Sequence, residues 1–243
     1  MKHKFRDLME QGLKEFAVEL SEKQIDQFYE YYRFLLQWNE VMNLTAITQL
    51  EEVVTKHFVD SLSLVKAVDR EMLCELNVLD LGTGAGFPGI PLKIAFPSMK
   101  IVLMDSLNKR IKFLNDVISK LELHDIYAIH GRAEDYGRDN EYREQFDLCV
   151  SRAVANLSTL SEYCIPFVKI KGIFIPYKSG NVEEEIRQSK GALEVLGGRI
   201  ESVTEFLLPG SDMGRALIKV KKIKATSKKY PRKAGIPGKE PLI

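Results

Sequence analysis

Cysteine is scarce in this chain of 243 residues: Cys74, Cys149 and Cys164 are all it has. An odd count at wide spacing argues against a disulfide framework and against a zinc cluster. No stretch approaches the roughly 18 consecutive apolar residues of a membrane span. The opening MKHKFRDLMEQGLKEF carries acids where a signal peptide needs an apolar core, and it has no small-residue cleavage site. The expected compartment is the cytoplasm. Internal repeats are missing too. Apolar residues make up 45% and charged residues 28%, which excludes wholesale disorder and a collagen-like repeat. The length allows one generous domain, or one domain with an appendage.

A net charge of +1 looks uninformative until it is divided along the chain. Residues 215–243 hold ten Lys and Arg against one acid, Glu240, a net of +9. Residues 1–214 then hold 25 bases and 33 acids, a net of −8. An acidic body with a basic end is one footprint of nucleic-acid contact, and a solvated tail is the plainer alternative.

The first seventy residues read as a helical cap. Phe5, Leu8, Met9, Leu13, Phe16, Ala17 and Leu20 recur at three- and four-residue spacing, predicting a helix over 5–20. Ser21 and Gln24 form a capping box that opens a second helix, expected to run out near Asn39–Asn43. Thr48 and Glu51 have the spacing of another, opening a third helix through His57, Leu62 and Val65. Short apolar strands follow at 77–81, 100–105, 126–129, 146–150 and 172–177. Helical stretches at 88–95, 107–121, 156–168 and 181–196 separate them. That alternation implies a parallel sheet covered on both faces. Two further strands, 200–207 and 216–222, lack an intervening helix and close the sheet as a hairpin. The expected organisation is a cap over 1–70, a Rossmann-like α/β domain with a seven-stranded mixed sheet over 71–224, and a tail over 225–243. Three prolines, two glycines and no periodicity predict an extended or disordered tail.

The most informative segment is Asp80-Leu-Gly-Thr-Gly-Ala-Gly-Phe-Pro-Gly89, which follows a strand and opens a helix. Ligands of open α/β sheets bind beyond the carboxyl ends of the strands, where this loop lies. Gly84, Gly86 and Gly89 also satisfy the dinucleotide pattern G-x-G-x-x-G, so the loop alone does not choose between cofactors. Asp105, at the end of the second strand, suits the ribose of either. Three features favour S-adenosylmethionine. Asp80 can meet its amino-acid portion directly or through water. The terminal hairpin is the expected close of a class I methyltransferase sheet. His130-Gly-Arg-Ala-Glu134 places an acid and a small residue where an adenine edge would lie.

Trp38-Asn-Glu-Val-Met-Asn-Leu-Thr45, His57-Phe-Val-Asp-Ser-Leu62, Leu81-Gly-Thr-Gly-Ala-Gly-Phe-Pro-Gly89, Asp105-Ser-Leu-Asn-Lys-Arg110, Gly131-Arg-Ala-Glu134, Ser151-Arg-Ala-Val154 and Tyr230-Pro-Arg-Lys233 stand together in one chain. On these, over nearly its whole length, the sequence resembles the bacterial small-subunit (16S) ribosomal RNA guanine-N7 methyltransferase family, historically the glucose-inhibited division protein B. The resemblance implies a class I S-adenosylmethionine-dependent methyltransferase acting on small-subunit RNA or the small ribosomal subunit, with no metal. The cofactor positions it implies are Gly82 and Phe87, then Asp105, Ser106 and Leu107, then Ala133, Glu134 and Arg152. Asp80 and Gly84 join them from the reading of the loop.

The loop after the fourth strand, Ser151-Arg-Ala-Val-Ala-Asn156, has neither the N-P-P-aromatic signature of exocyclic amine targets nor a cysteine nucleophile. Guanine N7 has a free lone pair and loses no proton on methylation, so it needs neither. Arg152 is the expected catalytic residue. It suits guanine O6, the cofactor carboxylate, or a structural ion pair. Arg215, Lys228, Lys229, Tyr230, Arg232 and Lys233 are the expected RNA contacts, the tyrosine by stacking. Lys219, Lys221, Lys222 and Lys224 extend this strip toward the sheet. Cys149, Cys164 and His57 read as packing residues. A protein or small-molecule methyltransferase, a non-catalytic RNA-binding module and a nicotinamide oxidoreductase are the alternatives, separable by cofactor titration and acceptor assay.

Overall fold

The computed structural model describes every residue from Met1 to Ile243. Helix α1 (Lys2–Lys14) buries Phe5, Met9 and Leu13 and stops six residues short of its apolar pattern. Ala17 adopts a φ of 50°, and the turn it makes still buries Phe16 and Val18, so the apolar periodicity outlasts the helix. Helix α2 (Glu22–Met42) opens on the expected capping box and ends at Asn43 in the left-handed region. Gln24 closes that box and also donates to the carbonyls of Ile94 and Ala95 at 2.7 and 3.0 Å, tying the cap to the end of another helix.

The third helix differs from expectation. Thr48 caps nothing; the chain enters α3 (Leu50–Val53) from Gln49 without a side-chain bond. It then widens into a π-helical segment, Val54–Val59, before α4 (Asp60–Leu62) and a 3-10 turn, Ser63–Lys66. Such π segments are rare and recur at functional sites. Helix α5 (Arg70–Leu73) leads to the sheet.

The alternating region is β1 (Asn77–Leu81), α6 (Gly89–Ala95), β2 (Lys100–Asp105), α7 (Asn108–Lys120), β3 (Ile126–His130), α8 (Ala133–Tyr136), β4 (Phe146–Arg152), α9 (Leu157–Cys164), β5 (Val168–Ser179), α10 (Glu183–Leu196), β6 (Gly198–Leu207) and β7 (Gly214–Lys222). The sheet order is β3-β2-β1-β4-β5-β7-β6. Strands β1 to β5 are parallel, and β7 pairs antiparallel with both β5 and β6. The chain reverses its winding between β1 and β4, and open sheets bind ligands at that crevice.

One apolar cluster of 42 buried residues joins the N-terminal helices to one face of the sheet, and a second of 21 covers the other face. Phe28, Tyr31 and Leu35 of α2 are fully buried, each contributing roughly 2 kcal/mol by area. The cap is therefore welded to the glycine loop rather than resting on it. No helix is long and apolar enough to cross a membrane.

The tail departs most from its sequence reading. It is folded onto the body and ends in a short helix, α11 (Ile236–Lys239). The Arg143 guanidinium donates to the carbonyls of Thr226, Ser227 and Tyr230 at 2.7, 3.2 and 2.9 Å. Glu144 accepts from the Thr226 amide, and Glu134 from the Gly235 amide. With the backbone satisfied by distant side chains, the segment needs no periodicity of its own.

Candidate active site at the carboxyl edge of the sheet

Two hollows open beside the β1–β4 crevice and meet at Gly82, which lines both. The larger is about 670 Å³ and is bordered by the glycine loop, the π segment, the loop after β4 and the ends of β5 and β7. The smaller is about 340 Å³ and lies over the ends of β2 and β3. Gly82 has a φ of +72°, and a Cβ there would sit 2.5 Å from a methyl group of Val154. Only glycine lets the loops after β1 and β4 approach this closely.

Three buried acids organise the site. Asp80 accepts from Thr83 Oγ1 at 2.6 Å and from the Gly89 amide at 2.8 Å through one oxygen, Oδ2. Its Oδ1 is buried with no partner. Burial pushes the Asp80 pKa up to about 7, against the pull of those two hydrogen bonds and of Arg152. Asp105 accepts from the amides of Gly84 and Leu107 and from Arg110, at 3.0, 2.9 and 3.0 Å. It ties the glycine loop to the end of β2. Asp60 divides its oxygens. Arg152 donates to Oδ2 and Arg215 to Oδ1, each at 2.8 Å. Two arginines from strands far apart in sequence are thus aimed into the larger hollow, which both line.

The aromatic wall is built from the cap. Tyr31 donates to the Ala85 carbonyl, and its ring packs 5.4 Å from Phe87. His57 stacks on the same Phe87 at 4.4 Å, and the Arg152 guanidinium lies 5.2 Å from its centroid. Burial and the nearby Arg152 push the His57 pKa down to about 3, so the ring is neutral. It is held by Thr45 Oγ1 at 2.9 Å.

Of the residues singled out from the sequence, Gly82, Gly84, Phe87, Arg152 and Arg215 line the larger hollow. Gly82, Asp105, Ser106, Ala133 and Glu134 line the smaller. Asp80, fully buried, and Leu107, exposed, line neither. Lys228, Lys229, Tyr230, Arg232 and Lys233 line neither. Tyr230 is 7% exposed and packs into the second cluster, so its ring is not offered for stacking. Arg232 is taken up by the buried Glu162. Lys222 is buried against Glu144, and Lys219 pairs with Glu201. The expected basic strip therefore does not form one surface. It also runs from the cleft at Arg215 to the opposite end of β7. What sequence reasoning missed is Asp60, and with it the setting of His57 beside Phe87. The only sequence signal was the spacing His57-x-x-Asp60, whose partners lie far along the chain.

A mixed seven-stranded sheet in this order, with a glycine loop after β1 and acids ending β1 and β2, defines a class I methyltransferase fold. Solved structures show the same fold at low identity. One is TrmN from Thermus thermophilus (TM-score 0.52, 13% identity, covering 68% of this chain and 48% of that one). Another is a ribosomal protein L11 methylase from Lactobacillus delbrueckii subsp. bulgaricus (TM-score 0.50, 16% identity, 70% and 79%).

Residues 24–218 match the sequence profile of the GidB family, rRNA small subunit methyltransferase G. The chain belongs to that family. Among its relatives are the ribosomal RNA small subunit methyltransferases G of Lachnoclostridium phytofermentans, 55% identical over 96% of both chains, and of Acetivibrio thermocellus, 52% identical over 98% and 97%.

Proposed function

We propose that this chain transfers a methyl group from S-adenosylmethionine to N7 of a guanine in small-subunit ribosomal RNA. The residues fit that cofactor. Asp80 keeps an orphaned buried oxygen suited to an ammonium, directly or through water. Asp105 and Glu134 sit at the smaller hollow with the acceptors a ribose and an adenine amine require. S-adenosylmethionine supplies an electrophilic methyl group when bound. The protein's task is alignment, which by itself lowers a barrier by roughly 7–11 kcal/mol in well-oriented systems.

The N7 reading rests on one observation: every titratable acceptor lining the larger hollow is already engaged. Asp60 holds two arginines. Glu185 accepts from Lys178 and from the Leu157 amide. The Tyr177 hydroxyl donates to the Ser61 carbonyl, and burial raises its pKa well above the ordinary value. His57 is neutral and a weak base. A site so equipped suits an acceptor that gives up no proton. Arg152 and Arg215 retain N–H donors beyond Asp60, and guanine O6 or a phosphate oxygen is the natural acceptor for them.

The test is incubation with methyl-labelled cofactor and ribosomal RNA or subunits from a strain lacking this enzyme, followed by mapping of the modified base. Label at a guanine N7 is the expected result. Label on an exocyclic amine, or on ribosomal protein alone, would refute the reading.

A further inference from the structure

The tail reaches back to the smaller hollow. Gly235, at a φ of +82°, turns its amide to Glu134 at 3.0 Å and lines that hollow with Tyr163 of α9. Beside the bonds from Arg143 and Glu144, an ion pair anchors it there. Glu162 has a fully buried side chain, and its oxygens accept from the Arg232 amide at 2.7 Å, from Nε at 3.0 and 3.1 Å, and from Nη2 at 2.7 Å. Removing Arg232 would leave a buried carboxylate uncompensated, which is far costlier than losing one phosphate contact. Arg232 therefore stays with Glu162 when RNA arrives. On the far side of the turn, Thr159 Oγ1 donates to the Pro237 carbonyl at 3.1 Å. Lys228, Lys229 and Lys233 of the segment are exposed.

We propose that residues 226–240 form the outer wall of the adenine-side cavity, with Arg232 as the positioning residue that holds Gly235 against Glu134. The proposal rests on the cofactor reading above. It reverses the expectation that the tail serves RNA alone: docking of the tail and occupancy of the cavity by the cofactor favour each other by linkage.

The experiment uses the full chain and S-adenosylmethionine without RNA. Calorimetric titration of Arg232→Ala should give a Kd raised about tenfold if the tail then docks one time in ten, since apparent affinity scales with the competent fraction. Lys228→Ala should leave the Kd unchanged. Tryptic cleavage after Lys228, Lys229 and Lys233 of the wild-type chain should slow when the cofactor is added. This measurement decides the matter if Arg232→Ala does not fold. A folded Arg232→Ala chain with wild-type affinity, or a wild-type tail cut equally fast with and without bound cofactor, overturns the strap and leaves the cofactor reading standing. A wild-type chain that shows no binding of S-adenosylmethionine overturns the cofactor reading itself.

Discussion

Asp60 and Glu162 are both buried carboxylates that hold arginine, and they hold it in opposite ways. Asp60 gives one oxygen to Arg152 and the other to Arg215. Each guanidinium keeps donors facing the cleft. Glu162 gives both oxygens to Arg232 alone and also accepts that residue's amide. A divided carboxylate presents its arginines to a ligand; a forked one consumes its arginine in structure. Asp80 is a third case, with one oxygen satisfied twice and the other unpartnered. The number of arginines per acid, rather than the density of basic residues, separates the cleft from the tail.

The contrast can be broken at several points. Arg152→Ala should cost the most. Loss of a preorganised donor lowers turnover by about 100- to 1,000-fold, and kcat/KM for RNA should fall at least that far. The fold should persist because Asp60 keeps Arg215, as a circular dichroism melt would verify. Asp60→Asn keeps the shape but offers only one acceptor oxygen for two arginines. Misalignment of this size lowers kcat/KM for RNA by roughly 100-fold, while the cofactor Kd should stay at its wild-type value. A drop in cofactor affinity instead would mean that Asp60 serves the other hollow.

Asp80 sharpens the comparison through pH. Its pKa is raised to about 7, and the ionised form is the one that attracts an ammonium. Cofactor affinity should fall as pH drops below about 7, by up to about tenfold per unit, and Asp80→Asn should abolish the trend. Without cofactor the linkage has the opposite sign. Asp80 contributes stability that is full below its ordinary 3.8 and is lost as pH rises through about 7. His57 opposes it: its contribution is full above 6.5 and is lost as pH falls toward about 3. Neutralising Lys228, Lys229 and Lys233 together should have the mildest effect. The logarithmic salt slope of RNA binding should shrink by about 0.7–0.9 for each residue that touches a phosphate, with cofactor affinity kept. An unchanged slope would remove the tail lysines from the RNA surface.

Much of the fold was legible because local signals agreed with tertiary ones. β1 and β2 span the residues expected of them, and Ser21 with Gln24 closes the capping box its spacing promised. The hairpin that ends the sheet was equally readable. Thr48 and Glu51 carried the same kind of spacing and failed, because the chain there is shaped by what it packs against and widens into a π segment. The glycine loop announced itself through residue types that only a close backbone approach requires. Asp60 did not, since its two partners lie 92 and 155 positions away and neither pairing leaves a local mark. Arg232 and Tyr230 looked like RNA contacts because composition shows charge and aromaticity but not burial. The Glu162 that claims Arg232 is 70 residues distant.

The position of β7 sets the order in which this molecule can be completed during synthesis. It enters the sheet between β5 and β6, although both precede it in the chain. Until it emerges, β5 presents an open edge and β6 has no neighbour. Arg215 arrives with β7, and Gly235 later still. A nascent chain that has already folded its glycine loop therefore still lacks one of the two arginines of the cleft and the outer wall of the adjoining cavity. Both halves of the site are completed only by residues from β7 onward, and a chain cut between Lys222 and Gly235 would keep all seven strands without the outer wall of the smaller cavity.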